Sequence, residues 1–164
     1  MVAKVPNTSK KLFVSWENAA RLCAKLAEKI NSSNFNPEIL IAITRGGLVP
    51  GRIISSLLSN PRLYCIKYEY YDKDDKPTKF PQLTQTLSFD LKGKKILLID
   101  EIADTGDTLR EALKYLNSLH AEEVKTAVMH YKPHSSFHPD YSIEKTNKWI
   151  VYPWEEESIK RSSK

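Results

Sequence analysis

The chain has 164 residues, 41% hydrophobic and 27% charged, which fits one domain of ordinary size with the composition of a soluble globular protein. No apolar stretch approaches the length of a transmembrane helix, and Met1-Val2-Ala3-Lys4-Val5-Pro6 lacks the apolar core of a signal peptide, so a cytoplasmic protein without a membrane partner is expected. The net charge of +5 is spread along the chain and suits anionic small molecules; no helix-turn-helix, zinc-finger or RNP-like pattern supports a nucleic-acid partner.

In chain order, Leu12-Phe13-Val14 reads as a short strand or extended entry. Ser15 is placed to cap a helix whose Trp16, Ala19, Ala20, Cys23, Leu26, Ala27 and Ile30 share one face. A buried strand is predicted from Ile39 to Thr44, then Arg45-Gly46-Gly47, a helix from about Pro50 to Leu58, and a strand from Leu63 to Tyr70. The segment Tyr71 to Leu83 is rich in charge and Pro and reads as a long loop; Thr84 to Phe89 is a candidate strand before the turn Lys92-Gly93-Lys94. Ile96-Leu97-Leu98-Ile99 opens a strand buried on both faces, and a helix begins near Leu109 and ends about Leu119. A strand from Val124 to Met129 and the apolar segment Trp149-Ile150-Val151-Tyr152 complete the pattern. Strands alternating with helices predict an α/β fold, a single domain with a mostly parallel central sheet flanked by helices. Cys23 and Cys65 lie in apolar patterns without metal-ligand spacing and read as reduced, small core residues.

The run from Ile96 to Leu109 joins a buried strand, two acids, a phosphate-loop sequence and a helix start within fourteen residues. Asp100 and Glu101 fall at the carboxyl end of the strand, where open α/β sheets place ligands, and can hold hydroxyls or a metal. Thr105-Gly106-Asp107-Thr108 then offers hydroxyls, a small residue and free backbone N–H groups at a helix mouth, a setting that binds phosphate. A second strand-to-helix turn, Thr44-Arg45-Gly46-Gly47-Leu48-Val49-Pro50-Gly51, can receive another anion: glycine lets backbone amides approach closely, and the Arg45 guanidinium matches phosphate oxygens. Near the C-terminus, Tyr131-Lys132-Pro133 ends a strand with a cation, and Lys148-Trp149-Ile150 sets an aromatic ring beside a short apolar segment.

The first of these runs resembles the signature of the type I phosphoribosyltransferases, which bind 5-phosphoribosyl 1-pyrophosphate (PRPP), and the three together resemble the compact 6-oxopurine branch, the hypoxanthine, guanine and xanthine enzymes. The resemblance covers nearly the whole chain, from Val14-Ser15-Trp16 to Pro153-Trp154-Glu155. It implies one phosphoribosyltransferase domain over residues 1–164 with a small C-terminal hood and flexible ends at about 1–10 and 158–164. The implied reaction is transfer of the phosphoribosyl group of PRPP to N9 of hypoxanthine, guanine or xanthine, with release of pyrophosphate.

By the family pattern, Asp100 and Glu101 face the ribose hydroxyls and Mg²⁺, Glu155 approaches a second Mg²⁺ or the exocyclic edge of the base, and Thr105, Gly106 and Thr108 hold the 5′-phosphate, with Ala103 and Asp107 also in the PRPP site. Arg45, Gly46 and Gly47 form the pyrophosphate loop, Lys132 meets the 6-oxo group, Trp149 stacks on the purine with Ile150 beside it, and Asp104 takes the proton of N7. The segment Tyr71 to Leu83 is the implied lid, and the implied assembly is a homodimer or homotetramer. Two departures stand out: Glu101 replaces a common second Asp, and Asp107 sets a carboxylate among phosphate-binding amides, so that it must turn away from the phosphate or weaken its binding by like-charge repulsion. Two readings compete on the same fold, an adenine-specific enzyme and a PRPP-sensing regulator without turnover. A small residue in place of Asp104 would mark the first; a nucleic-acid-binding module, for which this chain has no room, would mark the second.

Overall fold

The computed structural model describes residues 11–71 and 76–155. The elements run β1 (Lys11–Phe13), α1 (Trp16–Asn31), β2 (Ile39–Thr44), α2 (Leu48–Leu57), β3 (Leu63–Tyr71), β4 (Pro77–Gln85), β5 (Lys95–Ala103), α3 (Asp107–Ser118), β6 (Glu123–Tyr131), β7 (Tyr141–Lys145) and β8 (Trp149–Val151). Six strands form one sheet in the order β4-β3-β2-β5-β6-β7, parallel throughout except for the antiparallel β3–β4 pair. From β2 the chain crosses through α2 to β3 on one side, and from β5 through α3 to β6 on the other. The strand order therefore diverges between β2 and β5, and the crevice outside their carboxyl ends is where such sheets bind ligands.

The period of two along the central strands explains the layers. Leu40, Leu97, Ile99 and Met129 point to one face, where they pack with Leu22, Leu26 and Ile30 of α1 and Ile54 of α2. Ile41, Ile43, Ile96 and Leu98 point to the other, against Leu109, Ala112 and Leu116 of α3. Both faces are covered, which is why β2 and β5 read as unbroken apolar runs. The first and last described strands pair in parallel as a separate ribbon, Leu12 opposite Ile150, and form the expected hood at the edge of the crevice.

Several predicted elements shift. Ser15 caps α1 as expected, its hydroxyl accepting from the Asn18 N–H at 3.1 Å, but the buried stripe is Ala19, Leu22, Cys23, Leu26, Ala27 and Ile30. Trp16 and Ala20 are exposed; the Trp16 ring sits against Trp154, 5.7 Å between centroids, instead of entering the core. Helix α2 begins at Leu48, two residues before Pro50, because a proline in the first turn lacks only an N–H that has no partner there anyway.

The larger correction concerns the segment read as a long loop. Residues 77–85 are β4, an edge strand paired with β3 through Tyr71–Pro77, Glu69–Gln82 and Tyr68–Leu83. Pro77 and Pro81 suggested a loop, yet an edge strand tolerates proline because one side of it makes no ladder bonds. Only Thr84 and Gln85 of the candidate strand from Thr84 to Phe89 belong to β4, and residues 72–75 of the implied lid lie outside the described residues, as do both ends called flexible. Strand β7 was not predicted: Tyr-Ser-Ile-Glu-Lys is short and mostly polar. Its register against β6 is set from outside, by the Asp140 carboxylate accepting from both the N–H and the hydroxyl of Thr126 at 2.8 Å.

Both cysteines are free thiols. Cys23 is buried and burial pushes its pKa up to about 11, whereas Cys65 is only half-buried. Among the described residues no helix is long and apolar enough to cross a membrane.

Candidate active site

A cavity of about 420 Å³ opens at the carboxyl ends of β2 and β5, lined by Thr44, Gly46, Asp100, Glu101, Ala103, Thr105, Gly106 and Thr108, with Tyr68 and Tyr70 of β3 on one wall. Its phosphate-loop side is a backbone construction. Gly106 has φ +89°, a left-handed conformation open to glycine, and a Cβ there would stand 2.3 Å from that of Phe137. This turn starts α3 with its first N–H groups at the mouth.

Asp107 does turn away. Its Oδ1 accepts from Arg110 Nη1 at 2.7 Å and its Oδ2 from the Thr105 hydroxyl at 2.9 Å, so the carboxylate is neutralised outside the cavity and its side chain is not among the cavity walls. The Asp107 backbone N–H in turn donates to the Thr105 hydroxyl oxygen at 3.3 Å, so the expected Asp107 contact with PRPP is not formed by its side chain. Arg45 and Gly47 are also outside the lining. Arg45 is exposed after the cis Thr44–Arg45 peptide, near enough for its charge to act on Glu101 and Glu155, and Gly47 is buried at the start of α2.

The two acids sit where solvation is poor. Burial pushes Asp100 up to about 7, against the opposing hydrogen bond from the Glu101 N–H at 2.8 Å. Glu101 rises to about 8 through burial first, then the charges of Asp100 and Glu155; the Trp154 indole N–H, donating to Oε2 at 2.9 Å, and Arg45 pull the other way. Gly46 packs directly on this carboxylate: a Cβ on Gly46 would lie 2.6 Å from it, so any larger residue would displace the acid.

Asp100 and Glu101 both line the cavity, where carboxylate oxygens suit a hard cation, and their raised pKa values show how little the surroundings do to hold their charge. The expected trio of Asp100, Glu101 and Glu155 is nevertheless not assembled: among the described residues no three His, Cys, Asp or Glu side chains are grouped to hold a metal ion. Mg²⁺ characteristically uses one or two carboxylates, with water and substrate oxygens completing the octahedron, and the Asp100–Glu101 pair fits that pattern.

A second cavity, about 140 Å³, joins the first through Glu101, Ile102 and Asp104 and is closed by Lys132, Trp149, Ile150, Tyr152 and Glu155. Lys132 is 5% exposed and its ammonium donates to the Lys148 carbonyl; burial lowers its pKa, opposed by the charge of Asp104. Trp149, by contrast, is 37% exposed, which leaves ring surface for a planar ligand and excludes a role as a core anchor.

The floor consists of residues the sequence analysis assigned no role. Tyr152 is stacked on Trp154 at 4.9 Å, donates its hydroxyl hydrogen to the Glu101 carbonyl at 3.0 Å, and meets His130 Nδ1 at 2.8 Å. It thus ties the hood to the acidic strand. Nothing in an apolar Trp-Ile-Val-Tyr pattern distinguishes a packing tyrosine from one that spans two elements. Likewise His134, whose Nε2 lies 2.9 Å from Asp104 Oδ1, sits thirty residues away from its partner in sequence.

Residues 11–159 match the phosphoribosyl transferase domain family. A hypoxanthine-guanine phosphoribosyltransferase of Schizosaccharomyces pombe is 32% identical, over 91% of each chain. A xanthine-guanine phosphoribosyltransferase of Desulfotalea psychrophila is 31% identical, over 88% of this chain and 86% of that one. The crystal structure of a purine phosphoribosyltransferase from Pyrococcus horikoshii superposes with a TM-score of 0.78 at 34% identity, covering 89% of this chain and 94% of that one. The chain belongs to the phosphoribosyl transferase domain family.

Proposed function

We propose that this enzyme transfers the 5-phosphoribosyl group of PRPP to N9 of a 6-oxopurine, hypoxanthine, guanine or xanthine, in purine salvage. The observation that carries the reading is the meeting of the two cavities at Asp104 and Glu101: one has a phosphate-binding helix mouth and paired acids, the other a buried ammonium and a half-exposed indole. The named relatives act on such purines, and the single domain over residues 1–164, the cytoplasmic location and a homodimer or homotetramer remain part of the proposal.

In this reading the helix mouth at residues 105–108 takes the 5′-phosphate, Asp100 and Glu101 take the ribose hydroxyls, and Arg45 with the amide of Gly46 takes the pyrophosphate; the expected Gly47 amide is already donated to the Ile43 carbonyl at 2.8 Å. Bound Mg²⁺, held by Asp100 and Glu101 with oxygens of PRPP, would neutralise charge developing on the departing pyrophosphate. The N9 lone pair forms the new bond to C1 as the C1–oxygen bond breaks and pyrophosphate leaves with that electron pair, through a ribosyl cation-like transition state and with inversion. Trp149 and Ile150 hold the purine plane, and Lys132 donates to the 6-oxo group. Asp104 accepts the proton from N7. The protein's main contributions are alignment, electrostatic stabilisation and exclusion of water from the cation.

Adenine fits less well, because its 6-amino group would set a donor against the Lys132 ammonium, whose N–H groups beyond the one given to the Lys148 carbonyl would gain no acceptor from the base. The test is to incubate the protein with PRPP, Mg²⁺ and each purine in turn, measuring nucleotide and pyrophosphate. Product with 6-oxopurines is expected. Product with adenine alone would overturn the acceptor assignment, and PRPP binding without turnover on any purine would favour the regulator.

A further inference from the structure

The structure points to a partner for the proton acceptor that the sequence motifs do not contain. His134 Nε2 lies 2.9 Å from Asp104 Oδ1, at the rim of the smaller cavity, which Asp104 lines. Both side chains are more than half exposed, and an ion pair with that exposure would ordinarily count for little. What sets this one apart is the way its two loops are joined. The N–H and the hydroxyl of Ser136 both donate to the Thr105 carbonyl at 3.1 Å, and the Lys132 N–H donates to the Ala103 carbonyl at 2.9 Å. These bonds attach the loop after β6 to the loop after β5 on either side of the His134–Asp104 contact. The Ser135 N–H closes a turn on the Lys132 carbonyl at 3.0 Å, and Gly106 is packed so closely on Ser135 and Phe137 that a Cβ has no room. The backbones are thus set before the two side chains meet.

We propose that His134 is a positioning residue for Asp104. Resting on the reading that Asp104 accepts the N7 proton, the imidazole N–H binds one carboxylate oxygen and directs the other toward the purine. A carboxylate free to rotate would present either oxygen over a range of angles, and general-base catalysis depends on the fraction of time one is aimed at the proton. The imidazole must supply Nε2–H, since a lone pair facing the carboxylate would repel it.

The charged groups around the pair are accounted for. Lys132, on the strand end below, is bonded to the Lys148 carbonyl; Asp107 and Arg110 of α3 hold each other, with Arg110 also on Ser136. His138, farther along the same loop, is bonded to the Tyr131 hydroxyl at 2.6 Å.

The test compares His134→Ala, His134→Gln and Asp104→Asn in steady-state assays with hypoxanthine across pH. His134→Ala is expected to lower kcat by about tenfold, the scale of one hydrogen bond to a charged group, with the KM for PRPP unchanged. His134→Gln, which restores a neutral N–H donor, should recover most of the rate. Wild-type kcat and pH profile in His134→Ala, beside a severe defect in Asp104→Asn, would overturn the positioning role and leave Asp104 as the acceptor. Full activity in Asp104→Asn would instead remove the underlying reading. A loss in His134→Ala that Gln does not rescue, with PRPP use equally damaged, would reduce His134 to loop structure and likewise overturn the proposal.

Discussion

On the side of the crevice assigned above to phosphate, residues 44–47 and 100–108 are two continuous strand-to-helix turns: the second offers backbone at the start of α3, shaped by Gly106, while at the start of α2 the Gly47 and Leu48 N–H groups are donated to the Ile43 and Arg45 carbonyls, leaving Gly46 and Arg45 to face a ligand. On the base side, Asp104, Lys132 and Trp149 come from the loop after β5, the end of β6 and the hood strand β8, and what they offer is side chains. Each phosphate loop is specified locally and ties one substrate group to one segment. The base pocket exists only once the sheet and hood have closed together, so it can change selectivity while the phosphate loops stay the same.

The sharpest way to separate the two sides is Asp104→Asn, which keeps the size of the side chain and removes its basic oxygen. It should lower kcat by roughly 10²–10⁴-fold, the range of a lost general base, while a PRPP titration of the same variant gives nearly wild-type affinity. Next in size is Gly106→Ala, at a residue that lines the larger cavity and not the smaller one. The added methyl meets Phe137 at 2.3 Å from a residue at φ +89°, and such backbone strain costs about 1–3 kcal/mol. Its KM for PRPP should rise while that for the purine, measured at saturating PRPP, changes little; an equal rise in both would show that the two sides are not independent.

A smaller effect is expected on stability. For Asp100 and Glu101 the folded-state values of about 7 and 8 lie above the ordinary 3.8 and 4.5, so these two groups hold more protons in the folded protein than in the unfolded chain between about pH 4 and 8. Stability therefore falls with rising pH across that window, as each carboxyl is forced to ionise in a poorly solvated place. Thermal melts of the ligand-free protein compared with Asp100→Asn and Glu101→Gln should show a shallower decline in the variants. Parallel curves would mean that neither group carries the proton difference.

How much of this was legible in the sequence follows the same division. The β2 and β5 turns could be located from apolar runs that stop at Arg45-Gly46-Gly47 and at Asp100-Glu101, because strand, turn and helix start are all local patterns. Strand β4 could not, since its prolines and charges are acceptable only to an edge strand, and being at the edge is a property of the finished sheet. Lys132 and Trp149 were found through a family resemblance, and both line the smaller cavity. Tyr152, Trp154 and His134 were passed over for a physical reason: each acts through a bond to a residue thirty or more positions away, on Glu101 or Asp104. Asp107 shows the reverse case: a local rule about like charges offered a carboxylate turned away or a weakened phosphate site, and neither the choice between them nor Arg110 as the destination could be read from the sequence.

The separation of the two sides is tested most directly by the two Michaelis constants of Lys132→Ala and Trp149→Ala. Losing a buried hydrogen bond or a stacking partner costs about 1–3 kcal/mol, so the purine KM should rise roughly five- to two-hundredfold while the PRPP KM stays within about twofold. A matching rise in both constants, in variants that melt like the wild type, would contradict a base pocket built apart from the phosphate loops.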